Sequence, residues 1–264
     1  MAELIPIIDA ADPRLADFRD LSTADRRPDR PGGRGLVLAE GTVVVRRLLD
    51  SPYPVRALLG VPRRLDELAP DLAALDVPLY AVSADLMATV VGFHLNRGVL
   101  ASADRVPCRP PAELVAGARV VAVLEGINDH ENLGSLFRNA AALGVDAVLL
   151  GGRCADPLYR RSVRVSMGHV LRVPFAVLPS WPDDLDVLSA FTRVALTPAG
   201  SVPIAEAGLG ALPRVALLLG AEGPGLTAEA LAAADLRVAI PMTPGTDSLN
   251  VATAAAIAFH CARG

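Results

Sequence analysis

The sequence predicts an α/β protein in two parts, a small α/β domain followed by a larger one built on a parallel sheet. Three observations point there. The chain has 264 residues, of which 52% are hydrophobic and 20% charged, enough to bury one large core or two small ones. A proline-rich stretch at 103–119, ADRVPCRPPAELVAGAR, carries Pro107, Pro110 and Pro111. Proline suits neither a helix interior nor a central strand, so this stretch reads as a linker dividing 1–106 from 107–264. Beyond it, continuous apolar runs of strand length alternate with helical stretches, the pattern of strands covered on both faces.

Each element follows from local pattern. Before the break, Leu36–Ala39, Val55–Leu59, Leu79–Val82 and Val99–Ala101 read as strands; Thr42–Leu49, Arg63–Leu68 and Ala84–Val91 read as helices. A basic loop rich in glycine and proline is expected at 26–35. After the break the strands are Arg119–Glu125, Asp146–Leu150, Phe175–Leu178, Arg193–Leu196, Arg214–Leu219 and Leu236–Ile240. The helices are Leu133–Leu143, Thr227–Ala234 and Leu249–Ala262.

Composition narrows the function classes. No apolar run approaches the roughly 18 residues of a membrane span. The first residues are acidic where a secretory leader is basic, so a cytoplasmic location is expected. Three dispersed cysteines and four dispersed histidines lack the spacing of a metal site, so no metal is expected. The net charge is −4, and it divides evenly across the break, −2 on each side. Such a balance argues against non-specific coating of nucleic acid. All 25 basic residues are arginine, the side chain suited to planar, bidentate phosphate contacts.

Three clusters carry candidate chemistry. Asn128–Asn139 (NDHENLGSLFRN) opens a helix whose core stripe is Leu133, Leu136, Phe137, Ala140 and Leu143; Asn132 stands at the expected N-cap and Arg138 falls outside the stripe. Gly220–Leu226 (GAEGPGL) follows a buried strand, where open α/β sheets bind ligands. Ile240–Asn250 (IPMTPGTDSLN) leads into an alanine-rich helix, with Ser248 as the expected cap. Taken singly, each is equally a capped helix, a glycine-rich turn or a loop.

Together, their order and spacing resemble the SpoU/TrmH family of RNA ribose 2′-O-methyltransferases, within the SPOUT class. The family's N-x-G-S-x-x-R-x-A motif is matched by Asn132, Gly134, Ser135, Arg138 and Ala140. Its G-x-E-G-x-G loop is matched by Gly220, Glu222, Gly223 and Gly225, and its I-P-M…S-L-N-V segment by Ile240, Pro241, Met242, Ser248, Leu249, Asn250 and Val251. The match is firm over 119–262. Upstream it is weaker: Phe93–Ala101 looks like the end of the small substrate-binding domain that many members carry, and Arg160–Gly168 is similar to a segment before the third catalytic strand.

The resemblance implies a parallel-sheet catalytic domain at 107–264 closed by a C-terminal trefoil knot, an exception to the usual unknotted topology, preceded by a small α/β RNA-binding domain at 1–106. It implies S-adenosylmethionine as cofactor, held by Thr197, Pro198, Gly220, Ile240, Met242 and Leu249. It implies methyl transfer to a ribose 2′-hydroxyl of rRNA or tRNA, not DNA, with Asn132, Arg138, Glu222, Ser248 and Asn250 as catalytic residues. A homodimer through the last helix is expected, with Ala255 and Ala258 at the contact. A non-catalytic RNA-binding protein of the same fold is the alternative. Another nucleotide-using α/β enzyme is a third reading, against which stands the absence of a GxGxxG turn.

Overall fold

The computed structural model describes residues 4–24 and 35–263; the basic loop expected at 26–35 lies outside them except for Gly35. Up to the proline-rich stretch the chain forms β1 (Leu4–Pro6), α1 (Leu21–Ala24), β2 (Leu36–Glu40), α2 (Thr42–Leu49), β3 (Val55–Gly60), α3 (Pro62–Leu72), β4 (Leu79–Ala81), α4 (Ala84–Val91) and β5 (Val99–Asp104). There follow α5 (Pro111–Val115), β6 (Val120–Leu124), α6 (His130–Leu143), β7 (Ala147–Leu150), α7 (Arg160–Val165), β8 (Phe175–Val177), β9 (Thr192–Leu196), β10 (Val202–Pro203), β11 (Val215–Leu219), α8 (Ala228–Ala232), β12 (Leu236–Ala239) and α9 (Val251–Arg263). They form two compact units: Met1–Val106 with Leu158–Arg172, and Pro107–Pro157 with Val173–Gly264.

The first unit holds a mixed five-stranded sheet in the order β1-β4-β3-β5-β2, in which β5 runs antiparallel to both β2 and β3. Its core includes Leu15, Phe18, Leu59, Met87 and Leu100. Local chemistry sets the helix ends. In α4, Ser83 Oγ accepts from Leu86 N at 3.1 Å, and Gly92 closes the helix at φ +84°. The division at 106 coincides with the linker. The segment 158–172, expected in the second domain, groups instead with the first. There α7 buries Ser162 and Val163, and a Cβ on Gly168 would stand 3.1 Å from Val44. A six-residue helix inside a loop-like stretch gives the sequence little periodicity to reveal this.

The second unit is a seven-stranded sheet ordered β10-β12-β9-β11-β6-β7-β8, with every neighbouring pair parallel. All residues of β6, β7 and β11 are buried, which is why these strands read as unbroken apolar runs. The proline-rich stretch is not wholly a linker. It contains α5, with Pro110 at the N-cap and Pro111 in the first turn, where the missing N–H has no intrahelical partner to lose.

The last helix, α9, is fastened at both ends. Asn139 Nδ2 donates to the Ala252 carbonyl at 2.8 Å. The Arg119 guanidinium donates to the carbonyls of Ala262 and Arg263, satisfying acceptors a helix C-terminus leaves open. Ala255 and Ala258, expected at a subunit contact, are fully buried within this single chain. Small residues there let α9 sit close on its own unit. Ala255→Leu or Ala258→Leu is therefore expected to cost about 1–3 kcal/mol by over-packing, read as a lower thermal midpoint with unchanged particle mass. A changed mass with an unchanged midpoint would return these alanines to a subunit contact.

Candidate functional site

Strands β12, β9, β11 and β6 lie side by side and parallel, so the loops leaving their carboxyl ends converge on one edge of the sheet. Such an edge is where open α/β sheets take ligands. A cavity of about 130 Å³ opens there, lined by the loops after β9, β11 and β12 and by the start of α9. Thr197, Pro198, Gly220, Ile240, Met242 and Leu249 all line it, as do Glu222 and Ser248. Its walls are mainly the apolar side chains of Leu196, Leu219, Ile240, Leu249 and Val251.

The loop after β11 is folded hard upon itself. Gly225 N donates to Ala221 O at 3.0 Å, and Gly223 and Gly225 take φ of +92° and +73°, values that favour glycine. Gly220 is required for a different reason. A Cβ there would stand 2.2 Å from Gly225 C and from Leu226 N.

The far end of this loop is tied to β6 by a residue that the motif reading passed over. Glu125 is 2% exposed, and both its oxygens are engaged: Oε2 accepts from Thr227 N at 2.9 Å and Oε1 from Trp181 Nε1 at 2.6 Å. Thr227 in turn caps α8 through Ala230 N. A buried carboxylate directly after a strand is the available signal, because burial demands donors.

Two helix starts differ from expectation. The cap of α6 is Asp129, whose Oδ1 accepts from Glu131 N and Asn132 N at 2.9 and 2.8 Å. The cap of α9 is Asn250, whose Oδ1 accepts from Ala252 N and Thr253 N at 3.0 and 3.3 Å. Asn132 and Ser248 therefore do not cap. A cap binds N–H groups two or three residues ahead, and Asp129 and Asn250 stand at that spacing from the first turns. Freed from capping, Asn132 accepts at Oδ1 from Asn250 Nδ2 at 2.8 Å and donates from Nδ2 to Glu222 Oε2 at 3.1 Å. The chain Asn250–Asn132–Glu222 thus joins all three sequence clusters. Arg138 stands apart: it is exposed, does not line the cavity, and bonds to none of the described residues.

The family model for the SpoU rRNA methylase family matches residues 119–260. The chain belongs to that family. Among its relatives, a protein of Mycobacterium tuberculosis called an uncharacterized tRNA/rRNA methyltransferase is 60% identical over 96% of this chain and 90% of its own. The 23S rRNA (guanosine(2553)-2′-O)-methyltransferase RlmP of Bacillus subtilis is 30% identical, covering 97% of this chain and 98% of its own. Among solved structures, an AdoMet-bound rRNA methyltransferase from Sinorhizobium meliloti superposes with a TM-score of 0.83 at 25% identity, covering 98% of this chain and 97% of that one.

Within this SpoU member the loop geometry makes two predictions. Gly220→Ala pushes the 220–226 loop off its seat and is expected to abolish ligand uptake by the cavity, measured by calorimetry with S-adenosylmethionine. Glu125→Gln keeps the shape, but an amide presents one acceptor where two donors converge. Affinity for the same ligand is expected to fall several-fold. A variant that unfolds earlier yet binds with unchanged affinity would make Glu125 a fold residue alone.

Proposed function

We propose that this chain is an S-adenosylmethionine-dependent methyltransferase acting on a ribose 2′-hydroxyl of rRNA or tRNA. One observation carries the reading: the six expected cofactor residues line a single cavity, and the Asn250–Asn132–Glu222 chain ends at its rim. Family membership and the activities named for the relatives support it.

The residues present fit the cofactor. Gly220 lets the loop close on the Gly225–Leu226 backbone and so shapes one wall of the cavity, the other walls are apolar, and the loops offer backbone N–H and C=O groups, the usual makeup of a small-molecule site. When bound, the cofactor supplies an activated methyl group on a sulfonium.

This chain's own residues align and polarise. Glu222, fixed by Asn132, accepts a hydrogen bond from a ribose hydroxyl or a guanidinium. Ser248 lines the approach. Arg138 offers a fork of N–H donors and no acceptor, so it acts as a charge, on the target phosphate or the developing alkoxide, and not as a base. The segment 240–250 passes through the fold as a trefoil knot in this reading, and residues 1–106 select RNA.

A homodimer belongs to the same reading. Arg138 lies about 9 Å along α6 from Asn132 and about 120° around it, aimed away from its own cavity, and so serves the partner's site. The outer side of α9, with the half-exposed Ala256, Ile257 and Cys261, supplies the contact.

The test is methyl transfer to purified rRNA with calorimetry alongside. Arg138→Ala is expected to lose transfer while keeping cofactor affinity. Mixing Arg138→Ala with Gly220→Ala is expected to restore partial activity, since mixed dimers hold one complete site. No recovery on mixing would place Arg138 beside its own cavity, and RNA binding without any transfer would favour the non-catalytic alternative.

A further inference from the structure

The first unit contains a cluster of arginines, two of which hydrogen-bond to nothing among the described residues and do not line the cavity. Its centre is Glu40, the last residue of β2, only 6% exposed. Arg160, also buried, donates from Nη1 to Glu40 Oε2 at 2.8 Å, and its guanidinium lies 4.6 Å from the centroid of the Phe93 ring. That pair balances the buried charge.

Two further guanidinium groups stand against the same carboxylate. Arg97 Nε is 3.9 Å from Oε1 and Arg164 Nη1 is 3.9 Å from Oε2, with side chains 41% and 36% exposed. Both distances are too long for hydrogen bonds. Neither side chain bonds elsewhere among the described residues. One carboxylate thus faces three guanidinium groups, leaving two positive charges and their outward N–H donors open to solvent.

The assembly is built from separated sequence. Arg97 precedes β5, whereas Arg160 and Arg164 sit one turn apart on α7 and therefore share a face. The excursion of 158–172 into the first unit is what brings them to Glu40. Exposed neighbours in sequence, His94 and Arg161, add no negative charge.

We propose that Arg97 and Arg164, seated around the Glu40–Arg160 pair, form a binding site for phosphate groups of the RNA sugar–phosphate backbone. A guanidinium presents a planar fork that matches phosphate oxygens bidentately. The buried pair serves as its footing: it holds the patch in place without consuming the two outer charges. The inference rests on RNA being the substrate and extends that reading from the cavity to the first unit.

The experiment uses the full chain and in vitro transcribed 23S rRNA, with binding measured across a potassium chloride series and without cofactor. Each phosphate contact contributes about 0.7–0.9 to the slope of log affinity against log salt. The Arg97→Gln/Arg164→Gln double variant is expected to lower that slope by about 1.5 and to weaken binding at least tenfold at low salt. Affinity for S-adenosylmethionine should stay unchanged, which also shows that the variant is folded. Arg97→Lys/Arg164→Lys is expected to restore the slope but only part of the affinity.

An unchanged slope overturns the proposal, whether or not affinity falls. So does a loss of methyl transfer with RNA binding intact, which would give the patch a part in the reaction and not in holding RNA. A wild-type chain lacking salt-dependent RNA affinity would instead defeat the reading of the substrate as RNA.

Discussion

The orientation of one amide governs the polar half of the site. Asn250 gives its carbonyl oxygen to the first N–H groups of α9, so its nitrogen must face the other way. An amide has an accepting end and a donating end, and fixing one fixes the other. Asn132 therefore receives at its oxygen and gives from its nitrogen, and Glu222 at the cavity rim receives in turn. A carboxylate needed at one place is thereby held by a helix start two side chains distant. The same α6–α9 contact that carries this chain is stitched again by Asn139, so helix packing and site geometry rest on the same contact.

Each unit also contains a buried carboxylate at the end of a strand, and the two are satisfied differently. Glu40 closes β2 and meets guanidinium groups; Glu125 follows β6 and meets only neutral N–H donors. Burying an unpartnered charge costs several kcal/mol or more, so neither position tolerates loss of its donors. The ionic solution leaves surplus charge outside. The neutral one adds no charge and instead locks the loop that walls the cavity.

Much of this was legible in the sequence, for reasons that can be named. Strands β6, β7 and β11 are buried at every residue and so appear as apolar runs. Likewise α2 and α4 show their faces through spacing. The glycines at 220, 223 and 225 are dictated by close backbone approach, which leaves a recognisable string. What was illegible has several separate causes. Asp129 and Asn250 displaced the nearer cap candidates, and α5 hid behind prolines that its first turn accommodates. The return of α7 to the first unit has no local signature. Glu125 carried only the faint signal of an acid after an apolar strand.

Trp181 is the sole tryptophan of the chain, and its indole covers Gly151 so closely that a Cβ there would stand 2.4 Å from the ring. Its N–H ends on Glu125, the anchor shared with Thr227 at the end of the cavity loop. Indole emission is sensitive to the charge and hydrogen bonding around that nitrogen. The protein therefore carries an optical reporter at the base of its binding loop, and movement of that loop registers as a colour and intensity change without any attached dye.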